Sequence, residues 1–490
     1  MTKTTKRPNI LLLMADQWRG DCLGYHGHPV VETPYLDDLA RRGLSFSSAY
    51  SAVPTCIASR TALFTGMSSH RHGRIGYRDR LPWNYEHMMA MPFSQDGYHT
   101  QAVGKMHVYP ARNRCGFNDV VLHDGFLHAQ MSDRVPYQES TDFVDDYLVW
   151  ARRELGSRFD IMDLGLDCNG FMARPWTYPE YTHPTNWVAE MSEDFLRRRD
   201  PTSPFFLFSS FHRPHAPYDP PTAYYDMYRD VELPEQILGD VSYEDTDGSG
   251  WIATTQAGEV QPRARERALR AYYGLLTHID HQIGRIMSRL VDTGEADNTI
   301  IIFTSDHGDL LGDHHYWRKS SPLEGASRIP LIVYDPTGQL NYTPGEVSDE
   351  LVELRDIMPS LLDLAGLDIP DSVDGIPMRE LLRGGRSYLH GEHRHGARSY
   401  HSIRHRDGRK YCWFDQTGEE WLFDLTEDPQ EKRNLAADSP EDLAELRALL
   451  VAELQDREEG YVRDGALHVG ATMQDTLERS AAYTGRLPDA

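Results

Sequence analysis

The sequence predicts an α/β fold: helices sandwich a large, mostly parallel β-sheet, and a smaller C-terminal domain of antiparallel strands plus a helix follows. Two observations support this fold class. Short, continuously apolar segments alternate with helical patterns along the N-terminal part, as in parallel strands that are buried on both faces. From residue 369 to 386 the chain becomes rich in Pro, Gly and Asp, and short strand patterns come after it. We therefore predict a larger domain over residues 1–375 and a smaller domain over residues 376–490.

Four apolar segments are the predicted strands of the large sheet, and polar or charged residues follow each of them closely. The segments are Ile10 to Met14, Thr100 to Val103, Phe205 to Phe208 and Thr299 to Thr304. The polar residues that follow are Asp16, Lys105, His107, His212, His215, Asp306 and His307. Because ligands of open α/β sheets bind at the carboxyl ends of the strands, we expect these side chains to share one crevice.

Helical patterns separate these strands. A proline at the first helical position opens a predicted helix from Pro34 to about Gly43. The longest predicted helix runs from Arg263 to Leu290, with apolar residues at three- and four-residue steps. His278 and His281 on this helix have the spacing of metal ligands, but the sequence offers no third ligand nearby. We interpret both as ordinary surface or boundary histidines.

The smaller domain is predicted from three short strands and one helix. The strands are Tyr400 to Ile403, Lys410 to Phe414 and Trp421 to Leu425, and the helix is Pro440 to Arg457. Turn residues between the second and third strands favour an antiparallel arrangement.

Composition excludes several classes of function. The net charge of −25, with no long basic run, argues against nucleic acid or an anionic membrane as the main partner. The early apolar segment Ile10 to Met14 is too short to span a membrane and no signal-peptide cleavage site follows it, so we expect a cytoplasmic protein. The five cysteines are scattered, which predicts neither a disulfide framework nor a zinc knuckle. Because the protein as a whole is acidic, an anionic substrate would need a small, local cationic site.

The most specific segment of the sequence is Pro54 to Gly66. A helix is predicted to begin just after Cys56, which places the thiol at a positive helix end with Arg60 one turn further on. Such a position stabilises an anion, so a thiolate nucleophile fits this place. A buried cysteine that packs as a small apolar side chain is the alternative.

The motif Cys56-x-Ala58-Ser59-Arg60, which continues to Gly66, resembles the signature of the type I sulfatases of the alkaline phosphatase superfamily. Their cysteine is converted to Cα-formylglycine by a formylglycine-generating enzyme, and the commonest signature has proline in place of Ala58. Further segments resemble the same family in the same order: Pro8 to Gln17, Glu32 to Ala40, Gly104 to His107, Pro214-His215, Ser305 to Gly308 and Trp421 to Pro429. The resemblance implies a catalytic domain over residues 1–375. It also implies hydrolysis of a small aryl, sugar or alkyl sulfate monoester.

The resemblance also implies one divalent metal at the base of the pocket. Carried over by position, its ligands are Asp16, Gln17, Asp306, His307 and the modified Cys56. Oxygen ligands favour Ca²⁺, with Mg²⁺ as an alternative. The imidazole of His307 would also suit Mn²⁺. Gln17 and His307 depart from the family's common pattern of aspartate and asparagine at these two positions.

The mechanism implied by the resemblance begins with hydration of the aldehyde to a geminal diol, one hydroxyl of which attacks sulfur. Three side chains neutralise the sulfate oxygens in this scheme: Arg60, Lys105 and Lys319. His215, preferred over His212 because it follows proline, protonates the leaving alcohol or phenol with help from Lys319. His107 then takes a proton from the second hydroxyl, which expels sulfate and restores the aldehyde.

Two other interpretations remain open. Phosphonate monoester and phosphodiester hydrolases share this fold and nucleophile, and they also resemble the opening Asp16 to Arg19. A chain whose Cys56 is never oxidised would instead be a metal-bound anion-binding protein, although the nearly complete set of acids, bases and ligands argues against it. One further cluster has the composition of a metal site but is interpreted as a substrate-side or surface loop: His390, Glu392, His393 and His395.

Overall fold

The computed structural model describes residues 6–125, 140–160, 164–244, 254–471 and 474–484. The strands are β1 (Asn9–Asp16), β2 (Leu44–Phe46), β3 (Ala49–Tyr50), β4 (His99–Gly104), β5 (Asp119–Leu122), β6 (Phe205–Pro214), β7 (Thr299–Ser305), β8 (Leu331–Tyr334), β9 (Glu346–Ser348), β10 (Val352–Glu353), β11 (Tyr388–His393), β12 (Tyr400–His405), β13 (Arg409–Phe414), β14 (Glu420–Asp424), β15 (Val462–Arg463) and β16 (Ala466–Leu467). The α-helices are α1 (Pro34–Arg42), α2 (Cys56–Thr65), α3 (Ser69–His72), α4 (Ala90–Gln95), α5 (Thr141–Val144), α6 (Asp146–Leu155), α7 (Pro184–Arg198), α8 (Thr222–Met227), α9 (Pro262–Asp292), α10 (Glu324–Ser327), α11 (Ile357–Ala365), α12 (Met378–Leu381), α13 (Pro440–Leu454) and α14 (Ala481–Thr484). None of the helices within these ranges combines the length and the apolar character that crossing a membrane requires.

The large sheet has the strand order β5-β4-β6-β1-β7-β8-β2-β9. Every neighbouring pair is parallel except the two pairs that involve β8, which runs against both β7 and β2. The predicted mostly parallel sheet is therefore confirmed. The four strands predicted from apolar segments are the four adjacent central strands β4, β6, β1 and β7, so their carboxyl ends lie side by side.

The two faces of this sheet are buried by different helices. Alternate residues of β1 belong to two separate apolar cores, Leu11 and Leu13 to one and Ile10 and Leu12 to the other. The long helix α9 and helix α7 cover the first face, whereas α2 and α11 contribute to the core on the second face. This double burial explains why the central strands are apolar without alternation.

The C-terminal sheet is antiparallel, in the order β11-β12-β13-β14, and α13 packs against its two central strands. The three predicted strands and the predicted helix are confirmed, although the helix ends at Leu454 and not at Arg457. The segment interpreted as a substrate-side or surface loop is different: residues Tyr388–His393 form the edge strand β11. This segment is a strand because it pairs with β12, and a local sequence pattern does not reveal that pairing. The domain boundary between residues 375 and 376 stays a prediction.

Candidate active site

The polar side chains that follow the central strands converge at one edge of the large sheet. Asp16 is the last residue of β1, Lys105 follows β4, His215 follows β6 and Asp306 follows β7. All four are buried, with at most 6% of their surface exposed. The predicted crevice at the carboxyl ends of the strands is thus occupied by two carboxylates, an ammonium group and an imidazole.

Cys56 is the first residue of α2, as predicted, and Thr55 precedes it in an extended conformation. Its Sγ lies 3.2 Å from Lys319 Nζ and 3.8 Å from Lys105 Nζ. The Nε2 atom of His307 lies at 3.2 Å from the same sulfur. Position 56 is therefore surrounded by cationic groups and by a helix N-terminus, which together stabilise negative charge.

The pKa of the Cys56 thiol reflects this environment. Burial and the Asp16 carboxylate raise that pKa, but Lys105, Lys319 and His307 outweigh them and hold it well below its ordinary value. Cys412 provides the contrast, because burial raises the pKa of its thiol to about 12. The site thus favours an anionic group at position 56, whereas an ordinary buried cysteine stays neutral.

Arg60 organises the floor of the site. Its Nε donates to Asp306 Oδ2 at 2.9 Å, and its Nη1 donates to the carbonyl of Lys105 at 2.8 Å and to Ser210 Oγ at 3.0 Å. The side chain is fully buried. Arg60 therefore ties α2 to the ends of β4, β6 and β7. Among the described residues its Nη2 has no hydrogen-bond partner.

Four residues could together hold a metal ion: Asp16, Cys56, Asp306 and His307. One ligand atom from each lies within 4.8 Å of the others, and all four residues are buried. His307 Nδ1 donates to the carbonyl of Gly308 at 2.9 Å, which leaves the lone pair of Nε2 directed at the cluster. Two carboxylates and an imidazole with this orientation fit a divalent cation, which would bind the ring in its neutral form.

The two aspartates of this cluster have opposite pKa shifts. Burial raises the pKa of Asp16, but Lys105, which donates to its Oδ2, outweighs burial and lowers the pKa well below its usual value. Burial and the neighbouring Asp16 raise the pKa of Asp306. The two carboxylates repel each other in this buried site, and a bound cation would reduce that repulsion.

Gln17 lies next to the cluster with φ 73°, a left-handed conformation that is uncommon outside glycine. Its Oε1 accepts from Lys319 Nζ at 3.0 Å, and its Nε2 donates to Asp309 Oδ2. The hydroxyl of Tyr218 donates to the same carboxylate oxygen at 2.6 Å. Asp309 and Tyr218 together orient the Gln17 amide. Sequence reasoning missed both residues. The position of Asp309 three residues after Asp306 was the one signal that could have indicated it, and Tyr218 gave none.

His215 lies at the side of the cluster. Its Nδ1 donates to the carbonyl of Ala216 at 2.9 Å, so its Nε2 is the atom available for proton exchange. His212, the other candidate at this position, packs behind His215 at a ring distance of 5.1 Å and contacts Arg213 through its Nδ1. This arrangement supports the preference for His215 over His212, since Nδ1 of His212 is already bonded to Arg213. Asp16, His212 and His215 are also a second group of residues that could hold a metal ion.

His107 also has φ in the left-handed region, at 57°. Its main-chain nitrogen donates to Asp124 Oδ1 at 3.0 Å, a contact that sequence reasoning missed because Asp124 belongs to no recognisable motif. The ring is buried next to Tyr77, 6.1 Å away, and neither ring nitrogen has a partner among the described residues. A buried imidazole with both nitrogens available is typical of a group that meets a ligand.

A cavity of about 370 Å³ opens beside Lys319 and reaches the C-terminal sheet. Its walls include Lys319, Tyr243, Tyr316, Arg398, Phe414 and Trp421. The guanidinium group of Arg398 lies over the rings of Tyr243 and Tyr316, at 5.3 and 5.5 Å. The aromatic walls of this cavity suit an apolar group of a ligand whose anionic part binds at the cationic centre.

The family model described as Sulfatase matches residues 8–367. This chain belongs to the sulfatase family. A second family model, described as N-sulphoglucosamine sulphohydrolase, C-terminal, matches residues 312–460. The resemblance in the motifs around Cys56 is therefore confirmed. This sulfatase is an enzyme, a sulfuric ester hydrolase of the alkaline phosphatase superfamily.

Individual relatives agree with this assignment to the sulfatases. An arylsulfatase of Clostridium perfringens is 50% identical over 471 residues, which cover 95% of this chain and 98% of that protein. The multifunctional alkaline phosphatase superfamily protein PehA of Trinickia caryophylli is 28% identical and covers 88% of this chain and 92% of that protein. The phosphonate monoester hydrolase of Agrobacterium radiobacter, 25% identical, has a similar structure, with a TM-score of 0.72 over 92% of this chain and 95% of that chain.

Proposed function

We propose that this sulfatase hydrolyses an aryl sulfate monoester through a formylglycine made from Cys56, with one divalent metal. The observation that carries the proposal is the position of Cys56 Sγ, 3.2 Å from both His307 Nε2 and Lys319 Nζ. A nucleophile at this atom would face metal ligands on one side and a sulfate-binding cation on the other. The 50% identical arylsulfatase and the aromatic cavity beside Lys319 support an aryl leaving group.

The metal would be held by Asp16, Asp306 and His307 together with residue 56, and Gln17 Oε1 is a further candidate ligand. When bound, such an ion supplies Lewis-acid activation of an oxygen on residue 56. We favour Ca²⁺ because most of these ligands are oxygens.

The side chains around residue 56 divide the remaining work. Lys105 and Lys319 bind sulfate oxygens and neutralise their charge as the sulfur is attacked. One hydroxyl of the hydrated formylglycine forms the new bond to sulfur, and the bond to the leaving oxygen breaks. Asp306 takes the proton of the attacking hydroxyl. The leaving oxygen receives a proton from the ammonium group of Lys319 by way of His215 Nε2, because burial and Lys319 hold the pKa of His215 well below its usual value and keep its ring neutral before the step. His107 takes a proton from the second hydroxyl, so the bond from carbon to the sulfate oxygen breaks and the aldehyde returns.

Arg60 has a positioning role in this scheme. That Arg60 neutralises sulfate oxygens stays a prediction: its Nε and Nη1 bind Asp306, Lys105 and Ser210, and its Nη2 has no hydrogen-bond partner among the described residues. We propose that it holds the carboxylate of Asp306 and the main chain of Lys105 in place.

A comparison of substrates tests the reaction. The protein is co-expressed with a formylglycine-generating enzyme, because Cys56 is only 2% exposed after folding and the maturing enzyme needs access to it. We expect a higher kcat/KM for 4-nitrophenyl sulfate than for a 4-nitrophenyl phosphonate monoester or bis-4-nitrophenyl phosphate. The reverse order would favour the phosphonate and phosphodiester alternative, which the similarity to the phosphonate monoester hydrolase supports.

Metal removal tests the second part of the proposal. We expect a chelator to abolish activity and Ca²⁺ to restore it better than Mg²⁺ or Mn²⁺. Binding to the folded state alone stabilises a protein by about 2.7 kcal/mol at a ligand concentration 100 times Kd, so Ca²⁺ is expected to raise the Tm of the chelated protein. Asp306→Ala is expected to remove this rise. An unchanged Tm in the wild-type protein would contradict the metal site.

A further inference from the structure

His393 is a buried histidine that the proposed reaction does not use. It is the last residue of β11 and only 1% of its surface is exposed. Neither Nδ1 nor Nε2 has a hydrogen-bond partner among the described residues. Leaving a buried polar atom unpaired is unfavourable, so such a group is expected to have a ligand in the working state of the protein.

His107 shares this property with His393. Other buried histidines of the described part leave at most one ring nitrogen without a partner, whereas these two leave both. His107 is the base of the proposed reaction, where its ring has to remain available for a proton. The same feature in His393 indicates a second imidazole that is kept available for a ligand.

The main chain attaches His393 to the segments on either side of helix α2, which begins with Cys56. Glu392 on one side of it donates its N–H to the carbonyl of Ala52, and Arg394 on the other side donates to the carbonyl of Ile75, both at 2.8 Å. Ala52 lies in the segment that leads into α2, and Ile75 lies two residues before Tyr77, whose ring contacts His107. His393 is therefore held between the two segments that flank the helix of Cys56.

Its neighbours keep this position rigid. Glu392 accepts from Arg457 through both carboxylate oxygens, at 3.0 and 2.7 Å, and from Ser69 Oγ at 2.6 Å. Arg394 pairs with Asp415 at 2.6 Å. These bonds satisfy the polar neighbours of His393 and leave its own ring free.

The charges around His393 determine its protonation state and therefore which hydrogen bonds its ring can make. Burial, the imidazoles of His395 and His307 and the ammonium group of Lys319 lower the pKa of His393 to about 3, against the opposite influence of Glu392. A neutral imidazole offers one N–H donor and one lone pair.

We propose that His393 is a substrate-binding residue, whose imidazole donates an N–H hydrogen bond to an oxygen of the sulfate group beside Lys319. The inference rests on the proposed sulfatase reaction and adds a neutral donor to its two lysines. A neutral donor that cannot rotate away selects the position of the sulfate without adding charge to an already cationic site.

The test uses two variants of the full-length matured protein. His393→Leu removes both nitrogens, and His393→Asn retains one N–H donor. We expect His393→Leu to lower kcat/KM for 4-nitrophenyl sulfate by about 10- to 100-fold, the size of a lost hydrogen bond to a charged group. Inhibition by inorganic sulfate is expected to weaken by a similar factor. The Tm of His393→Leu is not expected to fall, since an apolar side chain replaces two unpaired polar atoms, and His393→Asn is expected to recover part of both losses.

His278→Leu is the matched control. His278 is also fully buried, so its interpretation as a surface or boundary histidine was wrong. It has one unpaired ring nitrogen, but it lies on α9 and bonds Asn186 at 2.6 Å. We expect this variant to lose stability while keeping the sulfate inhibition constant. The proposal is overturned if His393→Leu retains wild-type kcat/KM and sulfate inhibition, or if both His393 variants lose activity equally with sulfate inhibition unchanged. A wild-type protein that carries the aldehyde but cleaves no sulfate ester would instead contradict the proposed function.

Discussion

Two buried lysines of this sulfatase show what separates a catalytic cluster from a structural one. Lys105 donates to Asp16 within the active site, and Lys410 on β13 donates to Glu324 and Glu431 at 3.0 and 2.8 Å. Both ammonium groups are buried, 0% and 2% exposed. The pKa of each is raised by its carboxylate partners in spite of burial.

The surroundings of the two lysines differ in charge. Lys410 contacts two carboxylates, and one of them, Glu324, also pairs with Arg328 at 3.4 Å. Two cations therefore face two carboxylates, so this cluster is closed, and it joins β13 to α10. Around Lys105 the cations gather in excess, with Lys319 and Arg60 close to the same thiol and carboxylates. A closed cluster leaves no cation for a ligand, whereas the proposed reaction needs surplus cations around position 56 to bind an anion.

Two of the five buried cysteines, Cys56 and Cys412, provide the largest expected contrast. We expect Cys56→Ala to lower kcat/KM by about 10⁴-fold or more, because the nucleophile is lost, with little change in Tm. Cys412→Ala is the matched control: its thiol lies in the core of the C-terminal sheet, so the variant is expected to lose about 1 kcal/mol of stability and keep its activity. Comparable activity in both variants would contradict a catalytic role for residue 56.

The next effect concerns the proposed proton donor. We expect His215→Asn to lower kcat by about 10²- to 10⁴-fold for sulfates of weakly acidic alcohols, since these leaving groups depend on protonation. The loss is expected to be smaller for 4-nitrophenyl sulfate, whose leaving group is stable as an anion. Rates for a series of leaving groups check this, and a uniform loss across the series would assign His215 another role.

Exchanging each lysine for methionine tests the comparison directly. Lys410→Met leaves the buried carboxylate of Glu431 without its cation, whereas Glu324 keeps Arg328, so we expect the free energy of unfolding to fall by about 3 kcal/mol while the folded protein stays active. Lys105→Met is expected to lower kcat/KM by about 10²- to 10³-fold, because a cation that stabilises the transition state is lost. Urea unfolding and steady-state rates separate the two effects. A large activity loss in Lys410→Met alone would reverse the assignment.

The smallest expected effect is the acid sensitivity of the closed pair Glu392–Arg457. Burial raises the pKa of Glu392, but Arg457 outweighs it and holds the pKa well below its ordinary value. A lowered folded pKa contributes stability that is fully present above the unfolded pKa of about 4.3 and is lost as the pH falls towards the folded pKa. We expect the free energy of unfolding to fall below pH 4 by up to about 1.4 kcal/mol per pH unit more in the wild type than in Glu392→Gln. Parallel pH profiles would show that the pair contributes nothing.

The fold was predictable in those segments where the pattern of apolar residues along the chain indicates burial. Strands β1, β4, β6 and β7 are continuously apolar because helices cover both faces of the sheet, and helix α9 has a clear period. Strand β8 has only four residues, and its reversed direction depends on its pairing with β7 and β2. No local pattern contains that information.

The site divides in the same way. Asp16, Cys56 and Lys105 lie in short motifs next to predicted strands or helices, so the sequence alone identified them as candidate site residues. Tyr218 acts through a hydrogen bond to Asp309, and Asp124 accepts from the main-chain nitrogens of Met106 and His107. Such contacts arise only when distant segments meet in the folded chain.

The central claim is that Cys56 becomes a formylglycine, and the mass of the peptide that contains residue 56 tests it most directly. The protein is purified after co-expression with a formylglycine-generating enzyme and digested, and Cys56→Ala treated in parallel identifies the peptide. We predict a mass in which an aldehyde oxygen has replaced the thiol, with activity proportional to the converted fraction. Full activity in a preparation whose residue 56 is still a thiol would contradict the account.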